Sequence, residues 1–172
     1  MPTCYACPMP KMRDHRTVDA DFASTGPNAT TRLQRVQAPA EAAFDVLADG
    51  PAWKEWLGID IEWTSPEPHG VGTTRTVTTR GATIDETFLV WETGRRMNFR
   101  FDRSTLPVSA FAEDYLLIDH PDGGCTLEWS YAYDWVAPVA AVTRPLFGFG
   151  FGLQAKRGLT KFAALVEGRH GA

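Results

Sequence analysis

The sequence predicts an α+β domain in which a seven-stranded curved antiparallel sheet wraps around a long C-terminal helix, with two short helices after the first strand. Three observations lead there. Six short runs rich in β-branched and aromatic residues follow one another between positions 59 and 135, separated by Gly- or Pro-bearing turns too short for a parallel crossover. Helical spacing of apolar residues appears before and after those runs. The 172 residues, 44% hydrophobic and 12% aromatic, suffice for one domain with a sizeable core and leave no room for a second catalytic one.

Taken in order, residues 1–29 carry scattered prolines and no sustained period, so they read as an N-terminal extension, flexible or packed on the surface, ahead of a single domain over residues 30–172. Residues 31–37 alternate as a first strand. Pro39 then opens AEAAFDVLAD, with Phe44, Leu47 and Ala48 at helical spacing, and PAWKEWLG sets Trp53, Trp56 and Leu57 at i, i+3 and i+4 before Gly58. The strands IDIEWT, GTTRTVTT, ATIDETFLVWE, RRMNFRFD, SAFAEDYLLID and CTLEWSYAYDW follow. The last helix is expected from Pro145, which suits a first helical turn, to about Glu167 before Gly168.

Facing follows from period. In the last strand Leu127, Trp129, Tyr131, Tyr133 and Trp135 share one face, expected to point inward, and Glu128, Ser130, Ala132 and Asp134 share the other. A two-residue Thr93-Gly94 turn would pair Val90 with Met97, Phe88 with Phe99 and Glu86 with Phe101. A two-residue Arg80-Gly81 turn would set Val77 against Ile84 and Arg75 against Glu86, so that an ion pair enters the same apolar concavity, where it can orient a ligand's polar end. A one-residue slip turns that pair out to solvent on the convex face. Glu113 and Tyr115 offer a second polar position whose facing the sequence leaves open. On the last helix Phe147, Phe151, Ala155, Gly158, Leu159, Phe162, Leu165 and Val166 form a stripe toward the sheet. Leu146, Phe149 and Leu153 fall on the opposite arc, where the extension, a second subunit or a membrane surface would cover them.

Composition excludes several functions. Seventeen basic against 21 acidic side chains, with the basic ones scattered, do not make a nucleic-acid surface. Three cysteines are too few for a disulfide framework, so a cytoplasmic location is expected, and Cys4 and Cys7, although spaced CxxC, lack the partners of a zinc or redox site. No apolar run near the N-terminus fits a signal peptide. Residues 135–155 have the length of a membrane span, but Arg144 at its middle would cost roughly 2.5 to 3.5 kcal/mol, and prolines and glycines interrupt it. No phosphate loop, zinc-protease, nucleophile-elbow or dinucleotide fingerprint is present, and no cofactor is expected. The four histidines fall in expected loops or tails.

The segments VQAPAEAAFDVLADGPAWKEWLGIDIEW, GVGTTRTV, ETFLVWETGRRMNFRF and GCTLEWSYAY resemble the START-like (SRPBCC) superfamily with the birch-pollen-allergen helix-grip fold, in its polyketide cyclase/dehydrase and lipid-transport branch. The resemblance spans about residues 30–167. It implies a deep cavity between sheet and last helix for lipids, polyketides or sterols, in carriers, sensors and cyclases alike. It supplies no catalytic signature; the nearest positional analogues are Arg75 and Glu86. The expected ligand contacts are therefore Arg75, Glu86, Phe88, Val90, Phe99, Phe101, Tyr115, Trp129, Tyr131, Tyr133, Phe147, Phe151 and Phe162. The expected function is binding of one hydrophobic small molecule as carrier or sensor. The alternatives are a cyclase or dehydratase using Glu86 or a tyrosine as acid/base and Arg75 to stabilise an enolate, or an interaction module with a filled interior.

Overall fold

The computed structural model describes residues 11–136 and 140–171, with side chains on the last helix from residue 152 onward. Cys4 and Cys7, and the side chains of Leu146, Phe147, Phe149 and Phe151, lie outside the described residues. The elements are β1 (Arg13–Asp14), α1 (Phe22–Thr25), β2 (Thr30–Val36), α2 (Ala40–Ala48), α3 (Ala52–Trp56), β3 (Asp60–Trp63), β4 (Thr74–Thr78), β5 (Thr83–Glu92), β6 (Arg96–Ser104), β7 (Val108–Asp119), β8 (Cys125–Trp135) and α4 (Ala140–His170). Seven strands form an antiparallel path in the order β2-β8-β7-β6-β5-β4-β3, as the short turns require. The helix α4 lies across the inner face of this sheet. It begins at Ala140, earlier than Pro145 suggests, and runs unbroken to His170. Its described stripe, Ala155, Gly158, Leu159, Phe162 and Val166, is buried, as helical spacing predicts.

The extension supplies an eighth strand. Past Arg100 and Ala112 the strands β6 and β7 part, and β1 takes the freed edge, pairing Arg13 with Ser104 and Asp14 with Arg103. His15, expected in a solvated tail, is held there, with its Nε2 2.9 Å from the Ser104 hydroxyl. Onward, Val18 and, from α1, Phe22 and Ala23 pack against Ala110, Ala112 and Ala132 on the convex face. Those three alanines are small enough for a helix to approach closely, and the face expected to be polar is in part a second apolar layer.

The strand registers decide what faces inward. Arg75 pairs with Glu86 and Val77 with Ile84, as the Arg80-Gly81 turn predicts. Phe88 pairs with Phe99 and Glu86 with Phe101, also as predicted, but by a different route. The β5–β6 loop holds three residues between Glu92 and Arg96, and a bulge at Leu89 in β5 cancels the extra one. Gly94 accepts the φ of 76° that this loop needs. The cost of the bulge falls on Val90: it pairs with Asn98, not with Met97, and turns to the convex side, while Trp91 takes the inward place opposite Met97. The expectation that Val90 contacts a ligand is therefore corrected.

Between sheet and α4, α3 drives in Trp53 and Trp56. The Trp56 ring lies 5.2 Å from Phe162 and 6.4 Å from Trp129, and the Trp53 ring 5.7 Å from Tyr115. Gly158 allows this approach, since a Cβ there would stand 2.8 Å from Leu57 Cδ1. Docking of the extension is testable at Phe22, which is 8% exposed. Phe22→Ala is expected to lower the unfolding free energy by about 2 kcal/mol, read as a lower urea midpoint at unchanged slope; an unchanged midpoint would mean that the segment contributes no burial.

Candidate functional site

Where α3 and α4 fail to fill the concave side of the sheet, a cavity of about 170 Å³ remains. Its wall is apolar toward the β4–β5 turn, where Val77, Ile84 and Leu106 stand, and aromatic elsewhere, with Trp53, Phe99, Phe101, Phe111 and Trp129. Leu57, Ile59 and, from α4, Gln154 and Ala155 close it. Among the described residues three ionisable side chains share this wall: Arg75, Glu86 and Glu113.

Arg75 reaches the cavity because alternation along β4 points it inward with Val77, and Glu86 because it is the cross-strand partner. Arg75 Nε donates to Glu86 Oε2 at 2.6 Å, with the two side chains 1% and 3% exposed. Water around the guanidinium is replaced by ring faces: its carbon lies 4.5 Å from the centroids of Trp53 and Phe99, 4.9 Å from Phe88 and 5.6 Å from Trp63. Such faces attract a cation and offset part of its desolvation. Among the described residues only the Nε hydrogen finds a protein acceptor, and Nη1 has none. Burial pushes the Glu86 carboxyl above its ordinary range, against the pull of Arg75.

Glu113 stands inward on β7 between Phe111 and Tyr115, all on one face. Its Oε2 accepts the Tyr115 hydroxyl at 2.6 Å and Trp129 Nε1–H at 2.9 Å. Tyr115 is two residues along the same strand, and Trp129 sits opposite Tyr115 across the β7–β8 ladder, so register alone delivers both donors. Burial, then the charge of Glu86, pushes the Glu113 carboxyl up to about 7, against the two hydrogen bonds and Arg75. Burial and Glu113 in turn push the Tyr115 hydroxyl well above its ordinary value. The described residues of the site thus comprise one cation and two carboxyls, one of which, Glu113, is pushed up to about 7.

Of the residues expected from sequence, Arg75, Glu86, Phe99, Phe101 and Trp129 line the cavity. Phe88, Tyr115 and Phe162 are buried around it: Phe88 beneath Arg75, Tyr115 between Trp53 and Trp129, and Phe162 against Trp56. Tyr131 and Tyr133 stand on the inward face of β8, buried alongside the Phe111 ring. Leu153 is 44% exposed. Sequence reasoning missed Trp53, whose spacing with Trp56 reads only as helix packing, and left Glu113 undecided. The signal for Glu113 was present: Phe111, Tyr115 and Leu117 alternate with it. Among the described residues no group of three or more His, Cys, Asp or Glu gathers to hold a metal, and no helix is long and apolar enough to cross a membrane.

The family model described as polyketide cyclase / dehydrase and lipid transport matches residues 29–167. The chain belongs to that family. An uncharacterized protein of Mycobacterium tuberculosis is 43% identical over 136 residues, spanning 75% of this chain and 81% of that one. Among solved structures, a START superfamily protein from Mycobacterium smegmatis superimposes with a TM-score of 0.61 at 12% identity, over 83% of this chain and 97% of that one. Ara h 8.0201 does so at 0.59 and 13%, over 81% and 97%. These two carry the fold alone, a helix-grip of the START-like type. Family and fold together point to an SRPBCC protein that binds hydrophobic ligands.

The Glu113 shift has a consequence for stability. A carboxyl whose folded value stands at about 7 against an ordinary 4.5 stabilises the fold fully below pH 4.5, and this stabilisation is lost as pH rises to about 7. Between pH 5 and 8 the wild type should lose about 2 to 3 kcal/mol relative to Glu113→Gln. Urea unfolding of both proteins at the two pH values checks this; parallel curves would mean that Glu113 titrates as an exposed carboxyl.

Proposed function

We propose that the protein encloses one hydrophobic small molecule, lipid- or polyketide-like in character, between sheet and α4, and acts as its carrier or sensor. The observation that carries this reading is the cavity itself, with an aromatic and aliphatic wall broken by three ionisable groups. An interaction module with a filled interior would have no such space. A ring burying about 150 Å² there gains about 4 kcal/mol before the losses of association. That is weak binding, so selection among guests falls to the polar end. The free and buried Cys125 fits a reducing compartment, and we take the cytoplasm as the location.

A second reading, an acid/base enzyme of the cyclase or dehydratase type, is favoured by one observation. Glu113, with its carboxyl pushed up to about 7 in a buried hollow, meets the requirement for general acid/base work at neutral pH. In that case Arg75 would stabilise a developing enolate.

Native mass spectrometry of freshly purified protein tests the first reading. A bound hydrophobic mass is expected on the wild type and absent from Ala155→Leu, whose longer side chain enters the hollow from α4. A wild type that carries nothing and takes up no apolar guest would contradict it. Glu113→Gln separates the readings: a carrier keeps its guest, whereas an enzyme keeps its guest and loses turnover.

A further inference from the structure

The polar end of the hollow has a charge and donor pattern that restricts what fits there. Among the described residues Arg75 is the single cation on the wall, and its charge is already met by Glu86 at 2.6 Å. Glu113 is a second carboxyl on the same wall. An anionic guest would therefore bring a third acid to one guanidinium, in surroundings where like charges repel strongly for want of water. Donors, by contrast, are in surplus. A guanidinium has five N–H groups, and among the described residues only one of Arg75's is used. Glu113 Oε2 already accepts two hydrogen bonds, so the proton of the neutral acid sits on Oε1 and is a further donor. Two kinds of donor beside an aromatic wall suit one oxygen with two lone pairs. The volume sets the scale of the group around that oxygen: about 170 Å³ compares with the roughly 150 Å³ of an apolar protein cavity that takes up benzene.

We propose that this polar end is a site for an uncharged, hydrogen-bond-accepting oxygen, the carbonyl of a ring-sized ketone, aldehyde or ester, and that it turns carboxylates away. The inference rests on reading the hollow as a ligand site and adds the chemical class of the ligand. The groups facing Glu113 are Arg75 from β4, Glu86 from β5, Tyr115 from β7 itself, and Trp129 and Tyr131 from β8; α3 brings Trp53, and the described part of α4 brings Gln154. Loss of the Glu113 proton as pH rises removes a donor and adds a negative charge beside the bound oxygen. Carbonyl binding therefore weakens above neutral pH.

Three monosubstituted benzenes, toluene, acetophenone and benzoate, test this by tryptophan fluorescence titration of the whole protein at pH 6, since Trp53 and Trp129 line the cavity. Acetophenone is expected to bind at least tenfold more tightly than toluene, and benzoate no more tightly than toluene. Between pH 6 and 8 acetophenone should lose severalfold in affinity while toluene does not change, and Glu113→Gln, which keeps an N–H donor, should flatten that dependence. Arg75→Met alone would strand Glu86; the double variant Arg75→Met/Glu86→Met removes the pair together and should cut the preference for acetophenone over toluene at least fivefold. Equal binding of toluene and acetophenone would overturn the inference and leave the hollow as a binding site. Benzoate binding as tightly as acetophenone would overturn it as well. Binding of none of the three would sink both this inference and the reading beneath it.

Discussion

The structure depends on one costly arrangement, a guanidinium taken out of water and held between aromatic rings with a single carboxylate for company. Desolvating such a pair costs several kcal/mol per ion before compensation. The compensation here comes from four ring faces within 4.5 to 5.6 Å of the Arg75 guanidinium carbon and one short hydrogen bond to Glu86. Each ring lies on a different element: Trp53 on α3, Trp63 on β3, Phe88 on β5, Phe99 on β6. A shift of any one of them exposes or strands the charge, so the pair ties α3 and four strands to a single geometry. Among the described residues it also leaves Arg75 Nη1 without an acceptor, an arrangement that serves a bound molecule better than it serves stability.

A second carboxyl turns this arrangement into a chemical site. Glu113 sits among the same aromatic groups but takes its hydrogen bonds from Tyr115 and Trp129, so it is held in place without being neutralised by a cation. Glu86 raises it further by repulsion. One wall therefore presents a fixed ion pair and, beside it, an acid that gives up its proton near neutrality. The difference between the two carboxyls comes from their neighbours, since both are deeply buried.

Much of the fold was legible in the sequence, because alternation and turn chemistry are local. The Arg80-Gly81 turn fixed Arg75 opposite Glu86, and period two then carried both inward. Val90 failed for a reason that no local pattern displays: the β5–β6 loop is one residue longer than Thr93-Gly94 implies, and the compensating bulge at Leu89 leaves Trp91 inward against Phe44 and Phe88. The start of α4 was misjudged because Pro145 looks like a first-turn residue wherever the helix begins. The hollow is also smaller than a broad sheet around one helix suggests. Trp53 and Trp56 fill part of it, and their i, i+3 spacing says that they are buried but not against what. Docking of residues 11–29 was hidden for a similar reason, since Ala110, Ala112 and Ala132 read as neutral positions until a helix is seen lying on them.

The most direct test of a ligand hollow with a polar end is a diffraction experiment on crystals soaked with 4-bromoacetophenone, using the anomalous signal of bromine. The account predicts one peak inside the cavity near Val77, Ile84 and Leu106, with the carbonyl oxygen directed to Arg75 and Glu113. An empty cavity with its aromatic rings collapsed around Arg75, or a guest lying with its oxygen away from that residue, would contradict it.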